Sequence, residues 1–356
     1  MPAHGLDRDF WRGRRVLVTG HTGFTGGWLC LWLAGLGARV AGFALPPEPQ
    51  SLFAALGLEA GLDSHLGDLR DAPRLKTAIE ATRPEIVLHL AAQALVRRAH
   101  AAPIDSFAVN VMGTAHLLEA LRGCDSLRSV VVVTSDKVYL NRGLARGYRE
   151  ADRLGGREPY AASKACAELV VDCYRHSYFE DRGIAIATAR AGNIVGGGDW
   201  SADRLVPDAI RAFARREPLR LRHPHATRPW QHVLEACAGY LMLARALTDE
   251  AALAAGAWNF GPTPADSRPV AWIAGELARL WGEGAAWETH NPSNAPYEEK
   301  LLAVNAAKSA AGLGWKPRWT AGDALARTVP WYRAQIAGQS MRAVSTAQIE
   351  EYANAA

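Results

Sequence analysis

Tyr160 and Lys164, in the run YAASK, stand four residues apart. On a helix that spacing puts both side chains on one face, where an ammonium beside a phenol favours the phenolate and makes it a base toward a hydroxyl. A second run, TSDKVY at 134–139, packs a hydroxyl, an acid, a lysine and a phenol where the apolar SVVVV stops. The chain has six lysines, Lys76, Lys137, Lys164, Lys300, Lys308 and Lys316, and uses arginine for its other positive side chains. Arginine keeps its proton at any ordinary pH, whereas lysine can exchange one. Two of six lysines at these two runs is the pattern a proton-handling site predicts; a polar strand end capping the next turn is the plain alternative.

A third motif says what could sit beside them. TGHTGFTGG at 19–27 lies between the strand-like RVLVT and a helical stretch. Gly20, Gly23 and Gly26 let the backbone turn tightly and approach a pyrophosphate, which rests on the free N–H groups and positive end of the following helix. The spacing is GxxGxxG, and the end of the second strand (Phe43, Ala44, Leu45) carries neither an acid for an adenosine ribose nor a base for a 2′-phosphate. NAD is therefore preferred over NADP. Asp68, in GDL after a short third strand, is a candidate adenine partner or a helix cap.

These groups need a frame. RVLVT (15–19), ARVAGF (38–43), EIVLHLA (85–91), SVVVVTS (129–135) and IAIATAR (184–190) are near-continuous apolar strands separated by helical stretches, one suggested from the glycine loop through Trp28 to Leu36 and others at 73–82, at 105–121 and at 160–179. That alternation predicts an α/β fold, a doubly wound parallel Rossmann sheet covered on both faces. Beyond about Gly192 the texture changes to loops rich in Gly, Pro, Trp and Arg, such as GNIVGGGDW and RHPHATRPWQHV. Residues 1–192 are expected to bind NAD, with segments near 232–261 packing back on them, and 193–340 to form mainly a smaller C-terminal substrate-binding lobe.

The 356 residues are 49% apolar and carry a formal charge of only +4, without a basic block. That excludes a dedicated nucleic-acid binder and allows a local anion site. No stretch reads as a signal peptide or membrane anchor. The five cysteines lack CxxC spacing, and HPH with the distant His232 lacks ligand spacing, so no disulfide framework or metal site is expected and the cytoplasm is the default compartment.

Beyond single motifs, the chain resembles the extended short-chain dehydrogenase/reductases, through TGHTGFTG, HLAAQ, Thr134, YAASK and RAGN. Within them it is similar to the sugar-nucleotide 4,6-dehydratases, through AAQALVRRA, NVMGT, TSDKVY, GGGDW, DRLVPD and HATRPWQHVLE, a likeness running to about Tyr332. The resemblance implies cofactor contacts at Gly20, Gly23, Phe24, Thr25, Gly26, Asp68, Leu69, Ala91, Ala92, Asn110, Thr134, Tyr160 and Lys164. It implies substrate contacts at Gln93, Asp136, Lys137, Asn193, Arg204 and Arg228, with Trp230 and His232 close by. Arg228 is the candidate for the diphosphate, because a planar guanidinium grips phosphate oxygens in pairs.

The implied reaction has Tyr160 deprotonating the C4 hydroxyl of a nucleotide-linked glucose, CDP-glucose being the expected substrate, while NAD takes the C4 hydride. Water then leaves across C5 and C6, and the hydride returns to C6 as C5 regains a proton. Thr134 is expected near Tyr160 and the cofactor, Asp136 as the acid for the C6 oxygen, and Lys137 as the C5 base or as a stabiliser of the enolate. Many relatives carry Asp–Glu where this chain has Asp–Lys, a departure the CDP-glucose branch shares. An epimerase would need the Tyr–Lys pair without the acid and base for C5 and C6, and a nonenzymatic NAD-binding regulator would need neither. The resemblance also implies a homodimer, through the helices at 105–121 and 160–179, or a higher homo-oligomer, and a place in deoxysugar biosynthesis for lipopolysaccharide O-antigen.

Overall fold

The structure, a computed structural model, describes residues 6–144, 146–250, 254–290, 299 and 301–355; Lys300 lies outside the described residues. Seven parallel strands form the central sheet: β1 (Arg15–Thr19), β2 (Arg39–Ala44), β3 (Asp63–Leu66), β4 (Ile86–His89), β5 (Ser129–Val133), β6 (Ala185–Ala191) and β7 (Gly256–Phe260). Their order is β7-β6-β5-β4-β1-β2-β3. The connections therefore reverse direction between β1 and β4, and a crevice opens there at the strands' C-terminal ends. Alternation along β1 explains the two-sided core. Val16 and Val18 join one apolar cluster and Leu17 the other, so each face of the strand is buried under its own helical layer.

One layer is built by α1 (Phe24–Gly35) and α6 (Val233–Asp249), the other by α2 (Ala72–Thr82), α3 (Gly113–Leu121) and α4 (Pro159–Tyr174). Two stretches read from sequence as single helices are interrupted. The first is broken by a wider π-type turn over Ala108–Met112 before α3, the second by another over Arg175–Phe179 after α4. The first has a local cause: the Asn110 side chain exchanges two hydrogen bonds with the Gln93 backbone, at 2.8 and 3.0 Å, which pulls that turn toward the sheet.

After β6 the chain builds a lobe from α5 (Leu205–Ala214), α7 (Val270–Trp281) and strands of two or three residues, and sends α6 and β7 back to the sheet. Beyond α8 (Ala321–Ile336) a last helix, α9 (Met341–Asn354), lies against α1, with Tyr352 edge-on to Trp32 at 5.6 Å between ring centres. No motif marks this segment in the sequence. Its anchor is Glu235 of α6, fully buried, which accepts the Tyr352 hydroxyl at 2.6 Å and the N–H groups of Arg318 and Trp319 at 2.9 and 2.8 Å.

Burial pushes the Glu235 carboxyl up to about 7, against those hydrogen bonds. Between its ordinary value near 4.5 and about 7 the folded chain keeps a proton that the unfolded chain has released. Its contribution to stability is therefore full at low pH and is lost as the pH rises through about 7. Glu235→Gln is expected to flatten that part of the stability profile, measured as the difference in urea midpoint between the two proteins at mildly acidic and mildly alkaline pH.

Candidate active site

The ends of β4, β5 and β6, the start of α1 and the lobe surround a cavity of about 410 Å³. Thr25, Ala92, Thr134, Asp136, Lys137, Tyr160, Lys164, Asn193, Arg204 and Arg228 all line it. The strand termini explain this convergence, because each parallel strand delivers its last residues to the same edge of the sheet.

Tyr160 and Lys164 sit in the first two turns of α4, whose N-terminus is capped by Glu158, Oε2 accepting Tyr160 N–H at 2.8 Å and Oε1 accepting Ala161 N–H at 2.7 Å. Lys164 Nζ donates to the Val133 carbonyl at 3.0 Å, which ties the helix to the end of β5. Burial lowers the Lys164 pKa to about 8, with Glu168 opposing. Burial raises the Tyr160 phenol to about 12; a Ser135 hydrogen bond and the charge of Arg204 pull it back, while Asp136 and Glu158 push it further.

The hydroxyl at Tyr160 is therefore that of Ser135, which corrects the expectation for Thr134. Thr134 continues β5, its N–H donating to the Ala189 carbonyl at 2.9 Å. Its hydroxyl donates to Glu168 Oε1 at 2.5 Å. Ser135 is extended, so its side chain falls on the opposite side. Nothing in residue type separated the two hydroxyls; only the alternation at the strand end does.

Immediately after, Asp136–Val138 turn once, tightly, and Ser135 Oγ caps the turn by accepting the Lys137 N–H at 3.2 Å. The turn puts Asp136 and Lys137 together in place of the opposite faces a continued strand would give. Lys137 Nζ lies 3.5 Å from Asp136 Oδ1, which also accepts the Ser135 hydroxyl at 3.1 Å. Asp136 Oδ2 is buried without a partner among the described residues, and a Cβ at Gly192 would collide with it. A carboxylate oxygen held dry and unpaired at a cavity wall is costly unless a ligand completes it. Asn193 Oδ1 is buried and unpaired in the same way.

On the substrate side, Arg204 donates to Asp199 at 3.1 Å, and Arg228 is buried with Nη1 on the Thr227 carbonyl at 2.9 Å. Trp230 also lines the cavity, its indole N–H on the Arg268 carbonyl at 3.0 Å. Gln93 and His232 do not reach it. The Gln93 amide is spent on Leu95 N–H and carbonyl and on Ser106, at 2.7, 3.1 and 2.9 Å, so it shapes the loop that carries the wall residues 94–97. His232 is buried between Trp28 and Trp319, caps α6, and is driven down to about 3 by burial and then by Arg327. Arg97, Asp203, Arg220 and Arg222 also line the cavity; Arg97, Asp203 and Arg222 lie within AAQALVRRA, DRLVPD and RHPHATRPWQHV, but residue type gave none of the four a role.

The crevice end fits a dinucleotide. Gly23 caps α1 without a side chain, leaving the first-turn N–H groups available to an anion, and a Cβ at Gly26 would strike the Gly20 carbonyl, so the loop closes only with glycine there. Ala91 N–H donates to Thr19 Oγ1 at 3.2 Å, and Leu69 is packed against Gly113, both through backbone or apolar surface. Phe24 opens α1 and reaches toward Gly196. Asp68 is held by Arg70 at 2.6 Å, and its carboxyl lies below the usual range because of that hydrogen bond. At the end of β2, His21 covers Gly42 and pairs with Ser64 Oγ at 2.7 Å. Asn110, in its π-type turn, links the Gln93 backbone to Ser163 Oγ at 2.9 Å, and Ser163 Oγ donates to the Tyr160 carbonyl at 2.8 Å, so the crevice and α4 share one buried network. Among the described residues no group of three or more His, Cys, Asp or Glu could hold a metal ion, and no helix is long and apolar enough to cross a membrane.

Known proteins show the same organisation. The CDP-glucose 4,6-dehydratase of Salmonella typhimurium is 44% identical to this chain, over 98% of it and 99% of the relative. Among solved structures, the NAD complex of Thermus thermophilus UDP-glucose 4-epimerase superposes with a TM-score of 0.77 at 25% identity, covering 90% of this chain and 99% of that one. The NAD complex of Bacillus anthracis dTDP-glucose 4,6-dehydratase gives 0.76 at 20%, covering 93% and 100%. The family model described as GDP-mannose 4,6 dehydratase matches residues 17–328. Epimerases and dehydratases share the sheet, so the fold alone does not choose between them. With the family match spanning the sheet, the catalytic helix and the lobe, the chain belongs to the GDP-mannose 4,6 dehydratase family of sugar-nucleotide dehydratases.

Proposed function

We propose that this enzyme removes water from CDP-glucose to give the CDP-linked 4-keto-6-deoxy sugar, with NAD as a cofactor regenerated in every turnover. The observation that carries the reading is the buried, half-unpaired Asp136 carboxylate beside Lys137, on the same cavity wall as Tyr160. An acid and an amine there are superfluous for oxidation alone and necessary for elimination. Bound NAD⁺ supplies hydride acceptance from C4 and donation to C6, and its positive ring favours the phenolate. Tyr160 takes the C4 hydroxyl proton, steadied by the Ser135 hydroxyl and the Lys164 ammonium. Asp136, in its protonated form, gives its proton to the departing C6 oxygen. Lys137 removes the C5 proton or holds the charge of the enolate that forms, C5 regains a proton as hydride reaches C6, and the proton taken by Tyr160 returns through solvent to Asp136. Arg228 and Arg204 receive the diphosphate, and Asn193 the unpaired polar edge of the sugar.

The cytidine assignment is supported by the 44% relative. The protein is further proposed to work in the cytoplasm, where its cysteines stay reduced, in deoxysugar biosynthesis for O-antigen, and as a homodimer. Ile104, Met112, Leu169 and Tyr178 are exposed apolar side chains along 103–112 and 159–179, surface of the kind a second copy would cover. CDP-glucose carrying deuterium at C4 is expected to yield product labelled at C6 without net NADH. Unlabelled C6 in an active reaction would overturn internal transfer. Side-by-side assay of CDP-, dTDP-, UDP- and GDP-linked substrates is expected to favour CDP-glucose, and a higher kcat/KM for any other would replace the nucleotide.

A further inference from the structure

Two arginines from distant parts of the chain meet on one oxygen at the cavity wall. Arg97 Nη1 lies 2.5 Å from Asp203 Oδ1, and Arg222 Nη1 lies 3.3 Å from the same atom. Arg97 belongs to the short helix Val96–Ala101 that follows β4, whereas Asp203 and Arg222 belong to the lobe. All three line the cavity together with Arg204, Arg220 and Arg228. Two guanidinium groups converging on a single anionic oxygen is the arrangement that grips a phosphate.

Three features distinguish this cluster from a fixed brace. Its side chains are 47%, 39% and 32% exposed for Arg97, Asp203 and Arg222, so water screens the pairs and they exchange readily. Asp203 has φ +60°, a left-handed conformation that a residue with a Cβ adopts at a cost, and the two arginines help to hold it there. Partial burial would raise its carboxyl, but the hydrogen bonds from Arg97 and Arg222 outweigh it and keep the carboxyl below its ordinary range, hence ionised. By contrast, Arg204 on the same wall bonds to an Asp199 carboxylate that is buried.

We propose that Arg97 and Arg222 are further binding residues for the diphosphate of the sugar nucleotide, and that Asp203 holds their place until it arrives. This rests on reading the cavity as a sugar-nucleotide site. A diphosphate brings more negative charge and more acceptor oxygens than one carboxylate, so it displaces Asp203, and the two arginines that shared the Asp203 oxygen close on it instead. No covalent step is involved; one anion replaces another.

CDP alone, titrated calorimetrically against the full-length enzyme, tests this without depending on the sugar chemistry. Asp203→Asn is expected to tighten CDP about two- to fivefold, the scale of a half-exposed ion pair, and to lower KM for CDP-glucose. Arg97→Ala and Arg222→Ala are each expected to weaken CDP about fivefold or more, and each to make log Kd less steep against log salt concentration. Melting temperatures check that each variant is folded. If Asp203→Asn weakens CDP as the arginine variants do, the cluster is a brace and the proposal is wrong; unchanged CDP affinity in both arginine variants overturns it equally. Should the wild-type enzyme take a different nucleotide, CDP fails to bind it at all, and the same variants titrated with the matching nucleoside diphosphate support or overturn the cluster's role by the same shifts.

Discussion

Replacing Asp136 by asparagine is expected to lower turnover by about 10²–10⁴-fold, the range for loss of a positioned general acid, while C4 oxidation continues. In a single turnover the variant should then show nicotinamide reduction rising and persisting, where the wild type returns it to baseline. The geometry argues for both halves. Asp136 is 1% exposed, with Oδ1 shared between the Ser135 hydroxyl and Lys137 and Oδ2 left without a partner. Asparagine preserves the shape and the contact at Gly192 but has no proton of the right acidity to give. Tyr160 and Lys164 keep their places, and losing the Asp136 charge removes one of the groups that push the Tyr160 phenol up, so removal of the C4 proton is not impaired. The unpaired buried oxygen also predicts that the variant does not melt below the wild type, since a buried carboxylate short of partners is a cost that catalysis tolerates. Normal elimination in the variant would remove Asp136 from the acid role, and a lower melting temperature would show that the carboxylate is structurally paired after all.

The sheet was legible in the sequence because parallel strands buried on both faces must be apolar throughout, and RVLVT, EIVLHLA and SVVVV have no other good reading. The glycine loop and the Tyr160–Lys164 spacing were legible because each function is local, a turn in one case and one helical face in the other. What escaped was set by contacts across the chain. The lobe's strands of two or three residues carry no periodicity. The turn at Asn110 exists because Gln93 pulls it inward from the neighbouring loop. Helix α9 makes sense only against Trp32 and Glu235, both far away in sequence. Arg97 and Arg222 belong to the site because Asp203 joins them, over separations of 106 and 19 residues. Gln93 carried the right residue type for ligand contact yet spends its amide on Leu95 and Ser106, and His232 is enclosed between Trp28 and Trp319 with Nδ1 on the Leu234 N–H.

The exchange of roles between Thr134 and Ser135 gives the sharpest contrast. Ser135→Ala is expected to cut kcat by about 10²-fold or more, the cost of removing one hydroxyl aimed at a reacting group, with Ser135→Thr restoring most of the rate because it keeps the oxygen. Thr134→Val is expected instead to destabilise the fold by about 1–3 kcal/mol, the penalty for leaving part of a buried charged acceptor unsatisfied, with Thr134→Ser largely neutral. The reason lies in Glu168, one helical turn beyond Lys164. Its two oxygens take Thr134 Oγ1 at 2.5 Å, Thr188 Oγ1 at 2.7 Å and Arg190 through Nε and Nη2 at 2.8 and 2.7 Å. That knot fastens β5 and β6 to α4, and so fixes the Val133 carbonyl to which Lys164 donates. Losing the Thr134 hydroxyl loosens the frame and leaves the groups at Tyr160 chemically intact, so urea midpoint and kcat separate the two residues. If Thr134→Val lost rate at unchanged stability while Ser135→Ala did not, Thr134 would be the hydroxyl at Tyr160 and the strand would end one residue later than the structure places it.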